Sequence, residues 1–526
     1  MSAFVLGKSA RSSSKAVYLI LLMFAALAAF SLAGAQQAFA ANDMTAGGIE
    51  SSPQAATSVD PQSYEYPYKD PNDSDIYISM NGRVSGTIIY DVTTKTLTIE
   101  NVKSDEGYLN ICILLHTVTL KLVGDNVIDE IYTFNPLIIT GSGSLTGKIV
   151  GSTLKSAGIT VKSGTIKGNI TSGADFAMSG GTVKGNVWAY NGAAKMSGGT
   201  IAGSLSTDKK LTMTKGTIKY VSGDSSVVSC YGLDMKGGTI SATNAKYGVS
   251  VRGSEGVAGN LKMTGGKIAI AGTSYTGLSI SGGNLVMSGG TLAVTGSHQD
   301  AISVSYNRYR SKNYGGKVQI KGGAFKATVK TPKSYYAVYA TSMTNKLTAT
   351  KAIVGRLSPG AQFKVGGNLY KVMKYSAAKL AKYGSSKTSA TINKVTYGKH
   401  AYDVEGIAAG AFNSKAGQKV KSIVVASLVS EIGAKAFYNT KSLTSLRFNY
   451  TGWIKRVYDS NYNLKSLKVN SGYTVSAKAF TKCGKNGGKG LTVSLGKNGI
   501  WSKEAGIYKT FLAGRGLSRS AKLKSY

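Results

Sequence analysis

The stretch Ala194-Lys195-Met196-Ser197-Gly198-Gly199-Thr200-Ile201 decides the fold. Ala194, Met196 and Ile201 alternate with polar residues, so they share one side of an extended chain. Between them the Gly-Gly step lets the backbone take positive φ and turn a corner without a clashing Cβ. The unit recurs as Met178-Ser179-Gly180-Gly181-Thr182-Val183 and Met213-Thr214-Lys215-Gly216-Thr217-Ile218. It returns as Met235-Lys236-Gly237-Gly238-Thr239-Ile240, Met263-Thr264-Gly265-Gly266-Lys267-Ile268 and Met287-Ser288-Gly289-Gly290-Thr291-Leu292. Weaker copies lie at 160–166 and 318–325. The second glycines fall at 164, 181, 199, 216, 238, 266, 290 and 323, so the intervals lengthen from 17 or 18 residues to 33. One unit cannot bury its apolar face alone, whereas stacked units share a continuous core. The spacing predicts a parallel β-helix whose later coils carry inserted loops. A right-handed helix is favoured, because a left-handed one demands a stricter six-residue rhythm.

Upstream, Ile76-Tyr77-Ile78-Ser79-Met80 and the two alternating runs of 87–99 around a polar turn read as strands with one buried face, followed by a third run at 117–122. Residues 41–75 hold Pro53, Pro61, Pro67 and Pro71 among many Ser, Gln and Asp, the composition of a spacer. The first forty residues carry Lys8, Arg11 and Lys15, an apolar centre from Ala16, and Ala38-Phe39-Ala40 before Ala41. That is the layout of a cleaved secretory signal peptide. No later segment is apolar enough to span a membrane. The expected location is therefore extracellular, secreted or associated with the cell surface.

Charge is divided unevenly. Residues 41–130 hold 14 acidic and 5 basic residues, whereas 131–526 hold 55 basic and 11 acidic, a balance of +44. Such a field draws polyanions. In an exported protein the expected partners are acidic polysaccharides, wall polymers or host glycoproteins, and not nucleic acid. Lys outnumbers Arg, which fits a diffuse polyanion better than one clamped phosphate. Three cysteines, Cys112, Cys230 and Cys483, make no disulfide framework; buried thiols are the simplest reading, and one bridge, such as Cys112 with Cys230, stays open.

The opening strands and the Met-Ser-Gly-Gly-Thr coils, over residues 76–330, resemble secreted bacterial β-helix proteins with carbohydrate-binding roles. The resemblance implies affinity for acidic polysaccharide, in some members through calcium. This chain departs from them in having few acidic residues in its coils, and no other cofactor is implied.

A second repeat follows. Ile407-Ala408-Ala409-Gly410-Ala411-Phe412 is echoed by Ile432-Gly433-Ala434-Lys435-Ala436-Phe437 and Val475-Ser476-Ala477-Lys478-Ala479-Phe480, with a degenerate copy read at Ile454-Lys455-Arg456-Val457-Tyr458. Leu443-Thr444-Ser445-Leu446 and Leu464-Lys465-Ser466-Leu467 lie between them. Over 360–497 this is similar to the BspA-like leucine-rich repeats of bacterial surface proteins. That resemblance makes Cys483 a core position and implies adhesion or host interaction. The expected order is a signal peptide (1–40), spacer (41–75), β-helix (76–330), transitional β segment (331–395), short leucine-rich array (396–497) and basic tail (498–526).

Catalysis has no visible home. Between 131 and 330 the acidic residues are Asp175, Asp208, Asp224, Asp234, Glu255 and Asp300, none adjoining another, and His116, His298 and His400 are too dispersed for an obvious metal site. The main candidate contact region is Tyr306, Arg308, Tyr309, Arg310, Lys312 and Tyr314, in the longest interval between coils, read as an exposed loop. Tyrosines among cations supply flat faces for sugar rings and charges for acidic groups. Trp188 and Tyr190 are a second candidate, with burial as the favoured expectation. The sequence therefore points to a non-enzymatic surface protein that binds glycans or acidic polymers, against two alternatives: a structural spacer and a degenerate polysaccharide-active enzyme. The mature protein is expected to bind anionic wall material with strong salt dependence. Elution profiles between low and molar salt check this, and equally firm retention throughout would contradict it.

Overall fold

The computed structural model describes residues 65–525 except 71–72, 82, 92, 106–107, 114–115, 154–156, 222, 255–256, 310–311, 344–352, 375, 427–428, 450, 459, 461–463 and 497–503. At 65–70, 73–81, 83–84, 105, 110–113, 309, 312–313, 342–343 and 458 it describes the backbone alone. The proposed signal peptide and most of the spacer lie outside the described residues.

The chain is mainly β, and most of its strands join one large parallel sheet, consistent with a β-helix. The sheet starts from antiparallel pieces. Glu65–Asp70 pairs with Asp73–Asn81, which pairs with Tyr108–Ile113, while Arg83–Asp91 pairs with Thr96–Asp105. Glu65–Asp70 falls within the stretch read as spacer, so strand pairing begins before residue 76. From Thr96–Asp105 onward each turn of chain pairs in parallel with the next along three ladders.

The first ladder carries the methionines. Met178, Met196, Met213, Met235, Met263 and Met287 stand in register, one per coil, and each is at most 1% exposed. Burying a side chain of this size stabilises by roughly 1.5–3 kcal/mol, which explains why the column is continuous. The second ladder follows the glycine corner and stacks Leu145, Ile166, Val183, Ile201, Ile218, Ile240, Ile268 and Leu292 inward. The third ladder runs through Ile170–Ser172, Val187–Ala189, Leu205–Thr207, Gly223–Cys230, Ala245–Arg252, Leu278–Ser281 and Ile302–Tyr309.

The glycine corner and the methionine column are one device. Gly199 has φ +72°, and a Cβ there would lie 2.6 Å from the Gly180 carbonyl oxygen and 2.5 Å from Met178 Cε. The methyl tip of one coil's methionine thus fills the space that the next coil's glycine leaves empty. Met235 with Gly266 and Met287 with Gly323 repeat the relation at 2.8 and 2.5 Å.

The parallel sheet does not stop at 330. Tyr336–Ala340, Ile353–Val354 and Arg356–Leu357 continue it, so the start of the segment read as transitional belongs to the stack. Beyond it, two short parallel ladders form. One joins Ala377–Lys382, His400–Ile407, Glu431–Ile432 and Thr474–Val475, and the other joins Ser389–Ile392, Ser422–Val425, Ser445–Phe448, Thr492–Leu495 and Lys522–Ser525. Phe412, Phe437 and Phe480 stack between them with centroids 5.7 and 5.5 Å apart.

Two expectations are corrected here. Ile454–Tyr458 is no repeat in the stack, because Glu431 pairs directly with Thr474 and Ser445 with Thr492. It pairs instead antiparallel with Leu464–Val469 in an excursion. Lacking the Ala-Phe knob, this copy has nothing to insert into the phenylalanine column. The stretch read as a basic tail also folds: Ala505–Ala513 is helical and Lys522–Ser525 closes the second of the two ladders.

Gly199→Val is expected to lower stability by about 2–4 kcal/mol, combining a strained positive φ with a backbone clash that the flexible methionine cannot relieve. Denaturant unfolding measures it, and an unchanged midpoint would contradict the corner assignment.

Candidate functional site

The third ladder presents an unusual outward row. Trp188 stands in register with Ser206, then Ser229, Ser250, Ser279 and Ser303, and finally Tyr339. Each serine lies between two buried inward neighbours, as in Val249-Ser250-Val251 and Leu278-Ser279-Ile280. The hydroxyls therefore face outward, spaced by one strand separation. Six such separations make the row about 29 Å long from Trp188 to Tyr339.

Serine is a poor choice for strand stability, because β-branched side chains pack better on a pleated surface. On the second ladder one outward row holds Thr165, Thr182, Thr200, Thr217 and Thr239 before Lys267, and the other holds Lys219, Ser241, Ala269 and Ala293. The serines are smaller than Trp188 and Tyr339, the aromatic residues in register at either end, and this low row is called the trough below. Each hydroxyl can both donate and accept a hydrogen bond.

Aromatic side chains border this trough. Every strongly exposed aromatic residue among the described residues (Tyr108, Trp188, Tyr231, Tyr247, Tyr275, Tyr306 and Tyr335) lies on the third ladder or at its edge. Trp188 stacks on Tyr190 at 4.1 Å and 20° between planes, and Tyr247 stacks on Tyr275 at 4.8 Å and 19°. Arg252 donates from Nη2 to Ser229 Oγ at 2.7 Å, and its guanidinium lies 5.5 Å from the Tyr231 ring centroid.

The two regions singled out in the sequence meet this face at different points. Trp188 is 43% exposed, which corrects the expectation of burial, and with Tyr190 it forms one end of the trough. The 306–314 segment is a β-hairpin and not a loop: Ile302–Tyr309 continues out of the ladder and pairs with Lys312–Gly315. Tyr306 is 45% exposed and Arg308 is exposed, whereas Tyr314 is half-buried. Asn307 is opposite Tyr314, so Tyr306 and Tyr314 face opposite sides of the hairpin and form no shared platform. Tyr309 and Lys312 pair through their backbones, their side chains lying outside the described residues along with Arg310. About 24 Å, five strand separations, divides Trp188 from Ser303 in the coil that bears Tyr306.

The serine row escaped the sequence reading, although its signal is present. Leu205-Ser206-Thr207, Val228-Ser229-Cys230, Val249-Ser250-Val251, Leu278-Ser279-Ile280 and Ile302-Ser303-Val304 repeat one small polar residue between two inward ones.

The acidic residues of these coils bind their own chain. Asp175 Oδ1 accepts from Ala193 N at 2.7 Å, Asp208 Oδ2 from Asn191 N at 3.1 Å and Asp300 Oδ1 from Tyr336 N at 2.8 Å. Asp234 pairs with Lys210, and Asp224 with Lys246 at 3.6 Å. Burial pushes the Asp300 carboxyl above the usual range, against the backbone hydrogen bond from Tyr336 and the charge of Arg356. Among the described residues no group of three or more His, Cys, Asp and Glu is placed to hold a metal ion, and no helix is long and apolar enough to cross a membrane. Comparisons of the chain with protein-family models, curated proteins and solved structures find no match.

Beneath the trough, Cys230 is a free, fully buried thiol whose pKa burial raises to about 12; Cys483 is the same in the C-terminal ladders. Both are therefore almost entirely protonated at pH 8 and shielded from reagent. Alkylation at pH 8 followed by peptide mass spectrometry is expected to leave both unmodified in the native protein and to label both after denaturation. Rapid native labelling of Cys230 would contradict the packing of the third ladder.

Proposed function

We propose that this is a non-enzymatic, exported bacterial surface protein that binds glycan chains or acidic polymers along the third face and acts in adhesion. The observation that carries the reading is the serine trough with aromatic rings at both ends and along its borders. Flat aromatic faces stack on the apolar faces of sugar rings, while a row of small hydroxyls exchanges hydrogen bonds with sugar hydroxyls. The strand separation repeats evenly along the row, so Ser206, Ser250, Ser279 and Ser303 offer similar contacts to a polymer lying along it, while Ser229 is engaged by Arg252.

Three further features support the reading. The basic excess after residue 130 would concentrate acidic polymers near the surface. Asp175, Asp208 and Asp300 accept from backbone, and Asp224 and Asp234 pair with lysine, an arrangement suited to holding the stack and not to acid–base work. In the C-terminal part, the Ala-Phe knobs of Phe412, Phe437 and Phe480 and the Thr440 and Cys483 core positions fit a short BspA-like leucine-rich solenoid, here with one excursion between repeats. We take the preceding stack as a right-handed β-helix and the first forty residues as a cleaved signal peptide.

Ser250→Tyr fills the middle of the trough with a residue that strands tolerate well. It should weaken glycan binding at least tenfold without lowering the unfolding temperature. Trp188→Ala removes one stacking platform and should weaken binding about fivefold, the equivalent of roughly 1 kcal/mol. Thr200→Tyr, on the second ladder, should leave affinity unchanged. Calorimetric titration with glycans selected on an array measures all three. Parent-like binding by both trough variants would favour a structural spacer over a receptor for glycans.

A further inference from the structure

In the C-terminal part, the corner that carries each Ala-Phe knob changes character from copy to copy. Gly410 holds φ +64° in the first copy, and a Cβ there would meet nothing nearer than Asn413 Cβ at 3.9 Å. The next copy puts Lys435 at the equivalent position, with φ +54°. Two residues past the phenylalanine, Asn439 holds φ +62°, and its equivalent in the last copy is Lys482 at φ +50°. Left-handed backbone suits glycine and asparagine, whereas a lysine there is strained. Lys95 and Lys399, the other lysines of positive φ among the described residues, lie in the turns of antiparallel hairpins. Lys435 and Lys482 lie instead in neighbouring coils of the stack: Lys435 N donates to Lys478 O at 2.7 Å, and Asn439 N to Lys482 O at 3.2 Å.

The two strained lysines meet at one ring. Lys435 Nζ lies 5.3 Å and Lys482 Nζ 5.9 Å from the centroid of Tyr438. An aromatic ring attracts ammonium groups, so it gathers two like charges that would otherwise keep apart. Lys435, Lys478 and Lys482 are all exposed, and none of them forms an ion pair among the described residues. Carboxylates are scarce here, because residues 406–526 hold 21 basic and 3 acidic residues. Glu431 is taken by Lys379, whose Nζ donates to its two oxygens at 2.8 and 2.9 Å. Glu504 stands at the start of the helix Ala505–Ala513, and Asp459, between the paired strands of the excursion, lies outside the described residues.

We propose that this corner is a second binding surface, for a densely charged polyanion whose anionic groups contact the ammonium groups of Lys435 and Lys482 beside Tyr438. Backbone strain at both lysines is the cost of placing two charges at one ring. Lysine acts as a mobile point charge, which fits successive groups of a chain better than one planar anion. The inference goes beyond the trough and does not depend on it. The trough row is uncharged serine suited to sugar hydroxyls, whereas the corner recognises charge.

The test titrates the full chain with a short inorganic polyphosphate over a range of salt concentrations. The double variant Lys435→Asn, Lys482→Asn is expected to bind about tenfold more weakly at moderate salt. The slope of log affinity against log salt should fall by about two, roughly one for each lost contact. Because asparagine accepts the left-handed backbone, this variant should unfold at or above the denaturant midpoint of the parent. A control double variant, Lys522→Gln, Lys524→Gln, removes the same charge from the closing strand and should keep the parent's affinity and slope. Equal losses in the two double variants would mean diffuse attraction and overturn the corner site. Parent-like binding by the corner variant would overturn it as well, and so would a lowered midpoint, which would make the two lysines structural. Failure of the parent to bind polyphosphate would sink this proposal and leave the trough, tested with glycans, standing.

Discussion

The methyl tip of Met178 lies 2.5 Å from where a Cβ of Gly199 would stand, so the hydrogen-bonded spacing of two coils leaves room for glycine alone at this corner. With any side chain at Gly199, the chain could not approach the Gly180 carbonyl so closely, nor hold φ at +72° without strain. Methionine, unbranched and flexible, fills the space beside Gly199, and at Gly164 a Leu122 methyl approaches the same position at 3.2 Å. The pairing recurs at Met235 with Gly266 and at Met287 with Gly323, and at Gly181, Gly216, Gly238 and Gly290 the nearest atoms to a Cβ are instead backbone atoms of the preceding coil. Once the corner is fixed, the register of the second and third ladders follows, and every outward residue is placed in a straight row.

That regularity makes the comparison between rows informative. The same coils present threonine on one face and serine on another, at equivalent outward positions of equally regular strands. Both rows lie over buried aliphatic side chains. What differs is height and accessibility. Threonine places methyl groups along one row of the second face, whereas serine keeps the row of the third face low and bordered by rings. The strongly exposed aromatic residues gather at this same face, which a random scatter of surface tyrosines would not produce.

Much of the stack was legible in the sequence, since Met-Ser-Gly-Gly-Thr states a buried strand, a corner and the start of the next strand in consecutive residues. The ends were less legible. Strands in residues 336–357 continue the sheet without the glycine step, and Lys522–Ser525 joins a ladder from a segment whose lysines suggested only a tail. The excursion at Ile454–Tyr458 kept the apolar spacing of a repeat while losing the aromatic knob that seats one. The candidate site was legible in part. Trp188, Tyr190 and Tyr306 were found by residue type, but the row linking them was not, because intervals of 21 to 29 residues separate successive serines and only coil stacking aligns them. Tyr306 and Tyr314 looked equivalent in sequence, yet hairpin pairing turns them to opposite sides.

The central claim is that a glycan chain lies along the serine row. A crystal structure of the protein soaked with an oligosaccharide it binds tests this most directly. The account predicts sugar density running parallel to the stack over Ser206, Ser229, Ser250, Ser279 and Ser303, with a ring against Trp188 or Tyr339. Density confined to the threonine face or to the C-terminal ladders would contradict it.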